Sequence, residues 1–378
     1  MDQHHSADIA IVGAGIVGLA HAYMALRRGY KVVLFEREQF AVGASVRNFG
    51  LIWPIGQEPG ENLDRAIKSR NHWTTIAEEA GIWINKNGSL HLAHHDDEWD
   101  VLQEFAGLYG YVDDYKFSLL TPSELKEKSP VINSHDLKGG LWSSTECTVN
   151  PREAIRKIPG WLKEKYGLIT RFGEVVKSIE LPKVETSREK WKVDRVYVCS
   201  GADFETLYPE VYNQHAVTKC KLQMMKAITS SPVNIGPTLC AGLTMRHYAA
   251  FSKCPSLSRL DQRYNDQNEF LKDNGIHVLL AQHGNELIIG DSHHYDRTVE
   301  PFDREEINTV ILDYLKTFAI LDDLTITERW HGVYPKLNGA TNLIVEPEPG
   351  VTIVNCLGGA GMTLSFGLAE EIMEGISV

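Results

Sequence analysis

An α/β fold is predicted for this chain: a Rossmann-like nucleotide-binding domain split along the sequence, with an inserted α+β domain whose sheet is mostly antiparallel. Three observations carry that expectation. A strand, glycine turn, helix and second strand follow one another from Asp8 to Glu36; a buried strand pattern ending in small residues recurs at Arg195 to Ala202; and another runs from Val351 into Gly358-Gly359-Ala360-Gly361. Between the second and third, short alternating runs without long intervening helices read as an antiparallel sheet.

In the first unit an apolar strand enters Gly13-Ala14-Gly15-Ile16-Val17-Gly18, a helix-forming run spans Leu19 to Arg28, Gly29 stops it, and Lys31 to Phe35 reads as a second buried strand. Gly13 allows the tight turn, Gly15 lets the backbone approach a pyrophosphate, and Gly18 lets helix and strand pack closely. The helix N-terminus offers N–H groups and partial positive charge to phosphate, placing Ile16 and Val17 beside it. Glu36, about twenty residues on, accepts hydrogen bonds from a ribose diol and repels a 2′-phosphate, which argues against NADP; Arg37 follows it. This unit alone leaves NAD and FAD both open.

A glycine-punctuated loop rich in aromatic and polar residues runs from Val42 to Glu61, and helical spacing resumes from Asn62 to Ala80, ending at Gly81. Strand patterns at Gly88 to Ala93 and Gly139 to Trp142 are separated by helical stretches at Asp96 to Leu108 and Thr121 to Ser129. The second helix opens on Thr121-Pro122-Ser123-Glu124, with Pro at its first position and an acid at its third. Asn150-Pro151 opens a helix to about Tyr166, and Val175 to Ile179 and Arg195 to Cys199 return to strand pattern. Lys221 to Ser230, Leu243 to Phe251, Gly275 to Ala281 and Glu286 to Gly290 are read as strands, Asp303 to Ala319 and Met362 to Gly375 as helices. The expected nucleotide-binding segments are 1–82, 145–218 and 328–378; the expected substrate-binding segments are 83–144 and 219–327.

At 378 residues the chain suits two domains, and a formal net charge of -12 with pI near 5.7 disfavours nucleic acid or an anionic membrane as partner. The first residues carry no basic, apolar, cleavable signal, so the cytoplasm is the expected compartment; His4-His5 is read as disordered tail. The six cysteines show no metal-ligand spacing and are expected to be free.

The N-terminal unit, the Cys199-Ser200-Gly201-Ala202 strand end and Gly358-Gly359-Ala360-Gly361-Met362-Thr363 occur in the order seen in the D-amino-acid oxidase-like FAD oxidoreductases, which include glycine and sarcosine oxidases, and the chain resembles that family over nearly its whole length. The segment Ala44 to Gln57, with Leu243-Thr244-Met245-Arg246-His247-Tyr248, looks closest to a subgroup associated with phosphonate catabolism. The resemblance implies a glutathione-reductase-type FAD domain and an FAD held by Gly13, Gly15, Ile16, Val17, Gly18, Glu36 and Arg37. Ser45, Arg47, Asn48, Gly50, Leu51, Val176, Ser200 and Gly201 would join them, with Gly358 to Thr363 (Gly358, Gly359, Ala360, Gly361, Met362, Thr363) at the ring. Arg47 serves phosphate or ring edge, or forms an internal ion pair. Some related oxidases tether the flavin to a cysteine before the final strand; none lies between His331 and Val354, so FAD is expected to be non-covalent.

The implied reaction passes hydride from the carbon beside an amine to flavin N5, after which the imine hydrolyses and O2 reoxidises the flavin to give H2O2. It needs no assigned acid or base, and an oxidase is favoured over a dehydrogenase. The sequence departs from the family where a carboxylate-holding lysine is replaced by Thr363 and where Glu286 to Gly290 offers no oxygen-activating lysine. Anion anchors are therefore sought among Arg246, His247, Tyr248, Tyr334, Lys336, Trp53 and Gln57, with strand alternation placing Arg246 and Tyr248 on one face and His247 on the other. The substrate expected is a small anionic amine such as 2-aminoethylphosphonate or its N-methyl derivative. Glycine, sarcosine or D-amino acid oxidation, a dehydrogenase, and an FAD-carrying subunit of a hetero-oligomer are the alternatives. A monomer or homodimer is expected. His293-His294, near Asp291, is read as a surface turn and not a metal pair, because adjacent strand residues face opposite ways; no metal is expected.

Overall fold

The computed structural model describes residues 5–375. Its central sheet has six strands in the order Ile169–Phe172, Val32–Glu36, Ile9–Val12, Arg195–Val198, Val351–Asn355 and Leu343–Glu348. All neighbours are parallel except the last pair. The three predicted strand segments thus lie side by side although they are far apart in sequence. Burial on both faces is why they read as continuous apolar runs: Ala10, Ile11, Val33, Val196 and Ile353 are fully enclosed. The helices Ile16–Arg27, Glu61–Ala80 and Gly361–Glu374 share a core on one face. The other face packs on a four-stranded sheet that includes Val176–Glu180 and Lys190–Lys192.

The second large sheet has nine strands. Val217–Ile228 pairs along its length with Thr325–Leu337, and Glu286–Gly290, Leu279–His283, Thr238–Cys240, Ser89–Ala93, Gly139–Ser143 and Phe117–Leu120 follow in order. Every pairing is antiparallel except Thr238–Cys240 with Ser89–Ala93. Thr325–Leu337 descends toward the central sheet and forms a bridge from Lys336 to Leu357, at the edge of the C-terminal glycine turn. That strand carries Tyr334 and Lys336 to the edge of the central sheet.

The segment Leu243 to Phe251 is not a strand. It forms the short helix Gly242–His247 and the turn Ala249–Phe251, so the alternation assigned to Arg246, His247 and Tyr248 does not apply. A segment this short is decided by its packing against the neighbouring helix Leu257–Gln267 and not by its apolar spacing. That helix escapes the sequence pattern because only Leu260 and Tyr264 of it are buried. His5 is part of a strand, paired with Trp191 and stacked on its ring, so it is not disordered tail; His4 lies outside the described residues. All six cysteines are free and buried.

Candidate active site

Two cavities of about 330 and 310 Å³ meet where the glycine turns of the central sheet face the second sheet, and Ile16, Ser45, Tyr334 and Gly358 line both. The first turn is built by close backbone approach. A Cβ on Gly13, which has φ +102°, would sit 2.4 Å from the Cys199 carbonyl oxygen, and one on Gly18 would sit 1.9 Å from that of Gly13. Gly18 therefore shapes the turn without lining a cavity. Gly13, Gly15, Ile16 and Val17 line the smaller cavity, with Glu36, Arg37, Val176, Ser200 and Gly201 around its far end.

The helix start offers donors. Gly15 caps Ile16–Arg27 with no side-chain bond, and the Ile16 N–H donates to Ser45 Oγ at 2.9 Å. Glu36 ends its strand with one carboxylate oxygen accepting from Ala14 N–H at 2.9 Å and the other from Glu38 N–H at 3.1 Å. Arg37 pairs with Asp203, which ties the two strand ends together across the cavity. Gly201 and Gly358 have positive φ, and a Cβ at either position would meet nothing within 4 Å, so a ligand can approach their backbone. An extended dinucleotide fits these features: donors at a helix N-terminus for its pyrophosphate, a carboxylate for its ribose, and a second glycine turn at its other end.

The larger cavity takes in Ser45, Arg47, Asn48, Leu51 and Gly358 to Thr363. Thr363 Oγ1 accepts from the Trp53 backbone N–H at 3.0 Å, and Trp73 Nε1 donates to the Met362 carbonyl at 2.8 Å, so the C-terminal turn is held by the loop on one side and by the helix Glu61–Ala80 on the other. Asn48 holds its own loop, donating to Ala44 O and accepting from Gly50 N–H. Gly50 lies off the cavity; its glycine is required because a Cβ would meet the Val149 carbonyl at 1.9 Å. Arg47 donates to the His331 carbonyl at 3.3 Å and makes no ion pair among the described residues. Cys356 borders both cavities, but burial pushes its thiol up to about 12, leaving it protonated and unreactive.

Trp53, Gln57, His247, Tyr248, Tyr334 and Lys336 all line the larger cavity. Arg246 does not: its guanidinium turns away to Asp261 and Asn265, which corrects its assignment as an anion anchor. Burial raises the Tyr248 and Tyr334 hydroxyls well above their ordinary range, so both remain donors. Lys336 Nζ lies 4.6 Å from the centre of the Tyr295 ring.

His277, Asp291 and His293 also line this cavity, and the sequence pattern does not place them there. His293 is buried and is not part of a surface turn, whereas His294 points outward. Enclosure by the cavity walls, then the neighbouring rings, lowers His247 well below the usual imidazole range, although the ring keeps exposed surface on the cavity side. Burial likewise lowers His293, against the pull of Asp291. Only the antiparallel pairing of His277 with Asp291, through reciprocal backbone bonds of 3.2 and 2.7 Å, brings these residues together, and no spacing in the sequence signals it.

Glycine oxidase from Geobacillus kaustophilus matches in structure with a TM-score of 0.78 at 19% identity, covering 98% of this chain and 94% of that one. In sequence the curated glycine oxidase of the same organism is 27% identical over 36% of this chain, and the match spans only 38% of that relative's length. An opine oxidase subunit of Rhizobium meliloti is 21% identical over 98% of this chain and 94% of its own. L-alpha-glycerophosphate oxidase from Mycoplasma pneumoniae, solved with FAD bound, has a TM-score of 0.75 at 16% identity, covering 98% and 94%. The expected fold class holds against these structures. Residues 8–374 match the model of the DAO family, FAD dependent oxidoreductase, and with the glycine turns and cavities that fit a dinucleotide this chain belongs to that family, with FAD as its cofactor.

Proposed function

We propose that the chain oxidises a small anionic amine, an aminoalkylphosphonate such as 2-aminoethylphosphonate or its N-methyl derivative, with O2 as electron acceptor. One observation carries the reading. The cavity beside the C-terminal glycine turn ends in hydroxyl, imidazole and ammonium groups, from Tyr248, Tyr334, His247 and Lys336, and the one arginine lining it among the described residues, Arg47, is engaged with a backbone carbonyl. Tyrosine hydroxyls, an imidazole and a lysine ammonium supply single donors and a point charge, without the arginine fork that would suit either anion, and the three-oxygen head of a phosphonate engages more of these donors at once than a carboxylate does.

FAD, when bound, supplies the hydride acceptor. The chain's part is to bind and orient: Tyr334 and Lys336 hold the anionic end, Leu222, Met224 and Leu279 exclude water, and the turn Gly358 to Met362 presents N–H groups to the ring. Segments 1–82, 145–218 and 328–378 form the FAD domain in this reading, and 83–144 and 219–327 the substrate domain.

Anaerobic bleaching of the bound flavin by a panel of aminophosphonates, glycine, sarcosine and D-amino acids tests the substrate. Selective bleaching by aminophosphonates supports the proposal, and equal bleaching by carboxylate amines refutes it in favour of an amino acid oxidase. Peroxide release on readmitting air distinguishes an oxidase from a dehydrogenase. The full-length match to an opine oxidase subunit favours a second reading, an FAD-carrying subunit of a hetero-oligomer; absence of bleaching by any amine with the purified chain supports it.

A further inference from the structure

The imidazoles of His247, His277 and His293 meet at one wall of the larger cavity, each offering a ring nitrogen within 4.8 Å of the others. They come from three separate segments: the helix Gly242–His247, the approach to the strand Leu279–His283, and the turn after Glu286–Gly290. Contacts on the far side of two rings leave one nitrogen of each free. His277 Nε2 lies 2.9 Å from Asp291 Oδ1, a contact without hydrogen-bond alignment, and its Nδ1 is buried with no hydrogen-bond partner. His293 Nδ1 lies 3.0 Å from the Gly275 carbonyl oxygen, a bond it can only donate, which leaves Nε2 with its lone pair. A carboxylate behind one imidazole and a backbone carbonyl behind another are the supports by which proteins orient metal-ligating histidines.

We propose that His247, His277 and His293 bind a divalent transition-metal ion of the zinc class, with Asp291 as the orienting carboxylate. Three imidazole nitrogens select zinc, cobalt, nickel or copper over magnesium or calcium, which prefer oxygen ligands. The two buried rings supply the fixed ligands. His247 faces His277 with ring centres 3.9 Å apart and planes 20° apart, so ligation turns its ring toward the cavity, where it has open surface. Three protein ligands leave a coordination position open to the cavity, as in sites where an ion takes water or a ligand oxygen. That the open position would receive a substrate oxyanion rests on the function proposed above; metal binding itself does not.

The test uses the FAD-loaded full chain, incubated with zinc, gel-filtered and analysed for metal by mass spectrometry, with flavin absorbance as the control for folding. One tightly held equivalent is expected. His277→Asn and His293→Asn should lose it while retaining FAD, His294→Ala should keep it, and Asp291→Asn should weaken zinc affinity about 10- to 100-fold. Substoichiometric zinc in the wild-type chain, or equal zinc in the His277→Asn and His293→Asn chains, would overturn the site. Neither readout uses amine turnover, so the metal site can fail while the oxidation proposal stands, and the reverse.

Discussion

Two glycines in helical conformation should respond to the same substitution with opposite signs. Replacing a mid-helix glycine by alanine ordinarily stabilises a protein by about 0.5–1 kcal/mol, because alanine loses less backbone freedom on folding. Gly160, exposed in the helix Pro151–Tyr166, has nothing within 4 Å of an added Cβ and should show that gain. Gly18 has the same propensity term, but its Cβ would sit 1.9 Å from the Gly13 carbonyl oxygen and 3.2 Å from the Ile11 side chain. A real Cβ does not approach within 3.0 Å, so the helix must move away from the strand by about 1 Å, against a turn that Gly13 fixes to Cys199. Overpacking of this kind costs about 1–3 kcal/mol, which offsets the propensity gain and leaves Gly18→Ala destabilised by up to about 2.5 kcal/mol. Because the same turn aims the N-terminal N–H groups, FAD affinity should fall with stability. Thermal midpoints monitored by flavin release should move by about 1 °C per kcal/mol, from an unfolding entropy of about 2 cal/mol/K per residue, and FAD titration of the apoprotein measures affinity directly. A Gly18→Ala chain that is more stable than wild type and binds FAD as tightly would refute the close-approach argument.

Thr363→Val keeps the side-chain shape but leaves the buried Trp53 N–H without its acceptor, and should cost about 1–3 kcal/mol in denaturant unfolding; no loss would show that the contact is dispensable. Tyr334→Phe and Lys336→Met should each raise KM for the anionic amine about tenfold, the equivalent of about 1.4 kcal/mol, whereas Arg246→Lys should leave KM unchanged because Arg246 faces Asp261; steady-state kinetics that reversed this order would move the anion site. His21 is fully buried and its folded-state value is lowered to about 4 from 6.5. The unfolded chain therefore takes up the proton first, so stability is complete above about pH 6.5 and falls by up to about 3 kcal/mol as pH drops toward 4. His21→Leu should flatten that part of the stability profile, and an unchanged slope would assign it to other groups.

The local signals in this chain are legible where one segment satisfies its own chemistry. Gly13 and Gly15 sit between a buried strand and a helix, with Gly18 in that helix's first turn, and the Thr121 capping box and the Asn150 cap open helices as their side chains dictate. The Arg195, Val351 and Gly358 elements are legible as buried strands and turns, and the resemblance supplies their order. Leu243 to Phe251 reads as a strand and folds otherwise because its apolar spacing fits either a strand or a short helix, and only packing against Leu257–Gln267 chooses. The long strand Thr325–Leu337 escapes the sequence pattern for a similar reason: its half-buried residues are set by pairing with Val217–Ile228 and not by its own alternation.

By itself the sequence determined the βαβ unit, the acid at Glu36 and the buried strands, because these follow from backbone sterics and hydrophobic periodicity within a few consecutive residues. Tertiary structure alone decided which polar groups face the cavity. It turned Arg246 outward to Asp261, brought His277 and His293 to His247, and set Tyr334 beside Gly359, because those outcomes depend on strand register and on helix packing between residues far apart in the chain.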